Sequence, residues 1–421
     1  MRWTPDADSA ATPSSPSGET GRRHILPAGL CGAWRAGIEN GFDVEGAAQD
    51  KPKPLTVCLV IDEQAAECFP TALRYLQIGL IDEPVDTVII ASERGREVCL
   101  AGGPATVIAW REAQWPFGGF GRRAAVEAVC RRAAASGPEG AVVVHGLSLS
   151  AAQISEEIAE AVGGQLMLTV SRPSELADHA IGRCCRKAAV LVAPTLRILR
   201  SLQDGGHSGP AVECVPVGVV STFAPAAFSN AQRAPSLVYI GPLSAESGVE
   251  VLLRAVKTVL ASCPNLLVFI VGKGAAEGSL RHLADSLELS SNVTFTGRLE
   301  HWRLALDAAD VFCVPSGRDG FHEEAVHALA AGAALVASAD SDCDGLVDGE
   351  SALCFPPGDH FRMAEQISRL VEDQSLARRL ATAGQAFARS NNSVAKMVSE
   401  HVRVYQQLGA RHRTIPMPLP Q

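Results

Sequence analysis

The chain of 421 residues has no uninterrupted apolar run approaching the roughly 18 residues that a membrane-spanning helix needs, so no integral helical anchor is expected. Its N-terminus, MRWTPDADSAATPSSPSGETGRRH, also lacks the apolar stretch of a secretory signal. Twelve cysteines are present, but no C-x-x-C pair and no Cys/His cluster at zinc spacing, so neither a disulfide framework nor a metal site is expected. Several cysteines sit inside apolar runs such as TVCLVID and VFCVPS, where a reduced thiol behaves as a small hydrophobe. A reducing cytoplasm is the expected compartment. Basic charge is scarce as well: 37 Lys+Arg against 46 Asp+Glu give a formal net charge of -9, unlike the concentrated basic surface of nucleic-acid-binding proteins. A small basic pocket for a phosphorylated ligand remains compatible with that balance.

What is present is a length that predicts two or three domains and, at 47% hydrophobic residues, enough apolar material for sizeable cores. Residues 1–50 are rich in Pro, Ser, Gly, Ala and Asp without a sustained period, and read as a disordered tail. From Pro54 onward short apolar runs alternate with amphipathic ones. LTVCLVID (55–62), DTVIIAS (86–92), ATVIAW (105–110), AVVVHG (141–146), QLMLTV (165–170), AVLVAP (189–194) and AVECVPVGV (211–219) read as strands covered on both faces. Helices are expected between them near 122–136, 150–163, 174–187 and 195–203. After a polar break, FSNAQRAPS (228–236), the alternation restarts with strands at 236–241, 265–272, 292–297, 310–316 and 333–338 and helices near 246–262, 277–288, 300–309, 322–331, 360–373, 375–389 and 393–408. Strands alternating with helices mean βαβ units and parallel sheets. The expected organisation is a tail over 1–50, α/β domains over 54–230 and 236–408, and a second tail over 409–421. Open α/β sheets bind ligands outside the carboxyl ends of their strands, so two such domains facing each other make a cleft.

The second half, with SLVYIGPLSAESGVEVLLRAV, LLVFIVGKG, NVTFTGRLEHWRLALDAADVFCVPSGRDGFHEEAVHALAAGAALVASAD and DGLVDGESALCFPPGD in order, resembles the group 1 (family 4) glycosyltransferases. The first half matches more weakly, through VVVHG (142–146), RCCRKAAVLVAPT (183–195) and ECVPVGV (213–219). The resemblance implies a GT-B fold, two Rossmann-like domains facing across a cleft. It implies a nucleotide-diphosphate sugar held by the second domain, an acceptor held by the first, and transfer usually with retention at the anomeric carbon, with no metal or other cofactor. A departing diphosphate gathers negative charge, so cations and helix N-terminal amides must face it.

The family's segment G-R-L-x-x-E-K-G supplies two such cations. Here it is Gly241-Pro242-Leu243-Ser244-Ala245-Glu246-Ser247-Gly248, with Pro242 for the Arg and Ser247 for the Lys. The family's carboxylate motif E-G-F-G-x-x-x-x-E corresponds to Asp319-Gly320-Phe321-His322-Glu323-Glu324-Ala325-Val326-His327. The resemblance therefore implies Asp319 on the donor sugar, the amides of Gly320, Phe321, His322, Glu323 and Glu324 on the diphosphate, and His327 on the ribose. A neutral imidazole accepts only one of the two ribose hydrogen bonds that a carboxylate takes. Glu323 and Glu324 either complement their own helix dipole or repel a diphosphate. Lys273, Arg298 and Arg318 follow strands and are candidate replacement cations, each alternatively a solvated loop residue. His145 resembles the family histidine beside the donor sugar, alternatively a structural hydrogen-bonded histidine. The family's glycine-rich loop after the first strand is absent, EQAAECFP following LTVCLVID. The basic helix RRAAVEAVCRRAAA (122–135) is either a peripheral contact with an anionic membrane, at the inner face, or a solvated surface.

Three functions stay open: transfer of a sugar to a glycan, lipid-linked or small-molecule acceptor; a non-catalytic glycosyltransferase-like binding or scaffold protein; and an epimerase or phosphorylase on the same fold.

Overall fold

In the computed structural model the central strands form because their β-branched and apolar residues are enclosed on both faces, whereas the edge strands over 106–109 and 211–214, expected to be covered likewise, are exposed or half-buried. In β1 (Leu55–Ile61) every residue is buried, and Val57 through Ile61 are wholly inaccessible. The structure describes residues 55–412 apart from 101–102, 104, 111–125, 128, 130, 132–139, 205–208, 223, 231, 300 and 319. The expected tail over 1–50, most of the basic helix near 122–136, and Asp319 lie outside the described residues.

After β1 the chain turns directly into two helices, α1 (Glu63–Cys68) and α2 (Pro70–Gly79). Asp62 starts the first by accepting the amide of Ala65 at 2.8 Å, and Pro70 starts the second at a position where no amide is required. There follow β2 (Asp86–Ala91), β3 (Thr106–Ala109), β4 (Ala141–Gly146), α3 (Ala152–Val162), β5 (Gln165–Thr169), α4 (His179–Lys187), β6 (Val190–Ala193), α5 (Leu196–Asp204) and β7 (Ala211–Cys214). These strands make one parallel sheet in the order β3-β2-β1-β4-β5-β6-β7. In register, Cys58 of β1 lies between Val88 of β2 and Val144 of β4.

The second sheet is built from β8 (Ser236–Ile240), α6 (Val249–Val259), β9 (Leu267–Val271), α7 (Glu277–Ser286), β10 (Val293–Gly297), α8 (Arg303–Asp307), β11 (Val311–Val314), α9 (Glu324–Ala331), β12 (Ala334–Ser338) and β13 (Ala352–Phe355). Its order is β10-β9-β8-β11-β12-β13, again parallel. Each sheet reverses direction of growth beside its first strand, between β1 and β4 and between β8 and β11. The carboxyl ends of those strands are where an open α/β sheet receives a ligand.

Three helices close the described chain: α10 (His360–Glu372), α11 (Gln374–Asn391) and α12 (Val394–His412). The sequence pattern places the last helix with the second half, whereas α12 packs on α2, β4 and β5 of the first. Asn392 makes that crossing, its carbonyl accepting from Val219 and its side-chain amide donating to the carbonyl of Val217. Helix α12 continues to His412, so residues 409–412 are helical rather than tail.

Asp310 fixes the connection between the halves. Its buried carboxylate accepts from the amides of Phe228 (2.7 Å) and Ser236 (2.9 Å), the hydroxyl of Ser236 (3.1 Å) and the guanidinium of Arg233 (2.9 Å). Asp310→Ala is expected to leave the buried amides of Phe228 and Ser236 without an acceptor and to cost about 3 kcal/mol or more in urea unfolding. A loss below about 1 kcal/mol would show that the connection is held by other contacts.

Candidate functional site

A cleft of about 480 Å³ opens at the carboxyl ends of the central strands, within the size range of small-molecule sites. From the first half it is lined by Glu63, Ala66 and Glu67 of α1, Pro70, Thr71 and Arg74 of α2, and Arg94, Glu97 and Val98 of the turn after β2. From the second half come Gly241 and Pro242 after β8, Gly272 and Lys273 after β9, and Arg298, Leu299 and Trp302 after β10. Close approach of the loops after β8 and β9 depends on Gly272, where φ is 148° and a Cβ would meet the carbonyl oxygen of Gly241 at 1.9 Å. A smaller chamber of about 60 Å³ shares Gly241, Pro242 and Glu324 with the cleft and continues past Ser247, Gly320, Phe321, His322 and Asp342. Burial pushes the Asp342 carboxyl up to about 6, its largest cause, with Arg197 opposing and Asp340 and Asp344 adding to it.

Some of the candidate residues line these two spaces and others do not. Lys273 and Arg298 line the cleft and are exposed in it. Arg318 is exposed and is not among the residues lining either space. Gly241 borders both. Ser247 is buried beside the chamber and donates its hydroxyl proton to the carbonyl of Ser244 at 2.8 Å, so it caps its own loop. Gly320, Phe321, His322 and Glu324 line the chamber.

The amides ahead of α9 are largely committed to protein carbonyls, contrary to their expected place on a diphosphate. Phe321 N–H donates to Ser171 (3.0 Å), Glu323 N–H to Cys68 (3.1 Å) and Gly320 N–H to Gly317 (3.3 Å). Gly320 has a φ of 84°, and a Cβ there would strike Arg172 of the first half at 2.4 Å. Phe321 packs on Phe69 with ring centroids 5.8 Å apart. The loop is therefore docked onto the first half.

Glu323 carries that docking. Its side chain is inaccessible, and its two oxygens accept the amides of Thr71 (2.6 Å) and Ala72 (2.8 Å) at the start of α2. A carboxylate at a helix N-terminus satisfies otherwise orphaned donors and complements the helix dipole. Glu323 thus neither complements its own helix nor faces a phosphate; it caps a helix about 250 residues earlier in the chain. His327, expected at a ribose, lies one turn on with Nε2 3.6 Å from Glu323 Oε1 and its ring edge-on to Trp302 at 5.1 Å. His327 is buried and does not line the cleft; Trp302 does.

His145 is also corrected. Strand β4 turns its ring into the core, where Nδ1 shares a hydrogen bond with Tyr405 Oη and Nε2 one with Thr169 Oγ1, both at 2.8 Å. The ring is inaccessible and packs 5.7 Å from His401, whose Nδ1 bonds the carbonyl of Met397. Burial holds His145 well below the usual histidine range, with the His401 charge adding to it, and lowers His401 to about 4. His145 fastens α12 to the first sheet and does not reach a sugar in the cleft.

At the first sheet, α1 occupies the place of a glycine-rich loop. Asp62 and Gln64 both accept the hydroxyl of Ser150, and Gln64 donates to Glu175 at 2.5 Å. Sequence reasoning missed Arg74, Arg94, Glu97 and Trp302 as cleft residues; the signal for the two arginines was only their place just after α2 begins and just after β2 ends.

Glu323→Ala is expected to lower unfolding stability by about 2–4 kcal/mol, since the buried amide of Ala72 and the part-buried amide of Thr71 lose their acceptor, while Glu323→Gln keeps one acceptor and loses less. Equal stability of Glu323→Ala and wild type would contradict the cap. Because His401 is depressed below its ordinary 6.5, the unfolded chain binds the proton first. The stability it contributes is complete above pH 6.5 and is lost as pH falls toward 4. The stability difference between wild type and His401→Gln should shrink across that window by up to about 3 kcal/mol, and a pH-independent difference would contradict the burial of a neutral ring.

Residues 222–387 match the family profile described as glycosyl transferases group 1. The chain is 32% identical over 221 residues to the phosphatidyl-myo-inositol mannosyltransferase of Mycolicibacterium smegmatis, covering 50% of this chain and 55% of that protein. It is 28% identical over 208 residues to a Corynebacterium glutamicum GDP-mannose-dependent monoacylated alpha-(1-6)-phosphatidylinositol monomannoside mannosyltransferase, covering 45% of this chain and 54% of that one. The chain thus spans about half the length of these curated relatives. Among solved structures, sucrose-phosphate synthase from Thermosynechococcus elongatus superposes with a TM-score of 0.69 at 19% identity, over 85% of this chain and 100% of that one. Anabaena HepE in complex with UDP and glucose gives 0.68 at 15%, over 84% of this chain and 99% of that one. With two parallel sheets whose strand ends meet at one cleft and these structural neighbours, the fold is GT-B, and residues 222–387 are similar to the glycosyl transferases group 1 family.

Proposed function

We propose that the protein is a glycosyltransferase that moves a sugar from a nucleotide-diphosphate donor to an acceptor hydroxyl in the 480 Å³ cleft. The cleft carries this reading: it lies outside the carboxyl ends of both sheets, it has the volume of a small-molecule site, and it gathers cations from both halves. In the reaction the bond from the anomeric carbon to the phosphate oxygen breaks and the diphosphate leaves with the electron pair. A bond to the acceptor oxygen forms, and the acceptor proton passes to the departing diphosphate. Cations at the diphosphate stabilise the charge that develops there. Retention at the anomeric carbon is the expected outcome, and Asp319 remains the candidate for the donor sugar. Glu63 and Glu67 are placed to accept sugar or ribose hydroxyls. No metal or cofactor is invoked.

The acceptor is proposed to be polyhydroxylated and lipid-linked, supported by the two phosphatidylinositol-directed relatives. Among the described residues no helix is long and apolar enough to cross a membrane. A lipid-linked acceptor would therefore be met peripherally, at the cytoplasmic face. The second reading, a non-catalytic binding module, is favoured by Pro242 and Ser247 in place of cations and by the loop amides already bonded to the first half.

A panel of sugar nucleotides that includes GDP-mannose and UDP-glucose separates the two. Transfer or slow hydrolysis of at least one donor, with a thermal shift, is the expected result. Binding without any turnover, with phosphatidylinositol and glycan acceptors supplied, would favour the non-catalytic module; no shift with any donor would sink the transferase reading.

A further inference from the structure

The second half lacks the two cations expected at positions 242 and 247, and three of the loop amides ahead of α9 are bonded to protein. A diphosphate in the cleft needs its positive charge from elsewhere. Four side chains supply it: Arg74 and Arg94 from the first half, Lys273 and Arg298 from the second, all lining the same cleft. The link between the two groups is Glu97. Its backbone carbonyl accepts from Arg74 Nη2 at 2.9 Å, and its carboxylate lies 3.5 Å from Arg298 Nη1 across the cleft. Glu97 therefore places an anion among the cations, at a point where both partners are more than half exposed. Exposed ion pairs of this kind are worth little and are screened by salt, so another anion displaces them at small cost.

We propose that a diphosphate binds between Arg74 and Arg94 of the first half and Lys273 and Arg298 of the second, with the Glu97 carboxylate competing for the same cations. The cationic cradle is thereby moved from the loop after β8 to side chains on both walls of the cleft. Two consequences follow from the geometry. Donor binding bridges the halves through charge, since neither half holds more than two of the four cations. Removing Glu97's charge also strengthens binding, which a structural ion pair would not predict. Glu63, Glu67 and Glu324 line the cleft too, but they are suited to hydroxyls rather than to phosphates. The proposal deepens the donor-binding part of the proposed function and rests on it only for the identity of the complete ligand.

Calorimetry with inorganic pyrophosphate, and separately with UDP and GDP, tests it at low and moderate salt. Arg74→Ala/Arg94→Ala is expected to weaken pyrophosphate at least tenfold, two charge-assisted contacts being lost. Glu97→Gln is expected to tighten it several-fold, and Lys257→Ala, an exposed lysine paired with Glu288, to leave it unchanged. Absence of pyrophosphate binding to wild type, wild-type affinity in the double arginine variant, or weaker binding in Glu97→Gln would each overturn the proposal; circular dichroism of each variant shows whether the fold is intact. If pyrophosphate depends on the arginines while no sugar nucleotide is turned over, the cradle stands and the transferase reading fails. If donors are turned over by the double arginine variant with unchanged KM, the transferase reading stands and the cradle fails.

Discussion

The contact on which the site depends is a carboxylate at the wrong helix. Glu323 precedes α9, yet its oxygens take the amides of Thr71 and Ala72 at the start of α2. Its burial is offset by the two amide donors and the α2 dipole that face its oxygens. Around it the loop from Gly320 to Glu323 lies on the first half, with Phe321 on Phe69 and its amide on Ser171. Asp344 repeats the device, its carboxylate accepting the amides of Leu196 and Arg197 at the start of α5. Two carboxylates of the second half thus cap two helices of the first and tie the halves together.

That arrangement changes what a diphosphate meets. A loop whose amides bond to Ser171 and Cys68 offers few donors to phosphate, and the loop after β8 has no cation. The positive side chains instead stand around the larger space, two from each half. Loss of the second-half cations and docking of the loop therefore belong together. The acidic net charge of the chain does not exclude phosphate binding, since Arg74, Arg94, Lys273 and Arg298 line one cleft, although Glu63, Glu67, Glu97 and Glu324 line it as well.

Much of the fold was legible in the sequence because buried parallel strands leave continuous apolar runs, as in LTVCLVI and AVVVHG. Strand β13 was missed, since ALCF is only four residues and follows a polar turn. Helices α1 and α2 were missed although Phe69, Ala72, Leu73, Leu76 and Leu80 recur at helical spacing and Asp62 and Pro70 are start signals. The partner of Glu323 was not legible, because a contact spanning about 250 residues leaves no local pattern. His145 looked like a cleft residue from its place near a strand end, but its strand position turns it onto Thr169 and Tyr405. Lys273 and Arg298 were legible because residues just after parallel strands face the ligand side.

The central claim is that a nucleoside diphosphate enters the cleft between the strand ends of both sheets. Hydrogen–deuterium exchange with and without UDP or GDP tests it most directly. The predicted result is slower exchange together in 94–98, 271–274 and 297–299, which border the cleft from both halves. Unchanged exchange in all three segments at saturating nucleotide, or protection confined to one half, would contradict it.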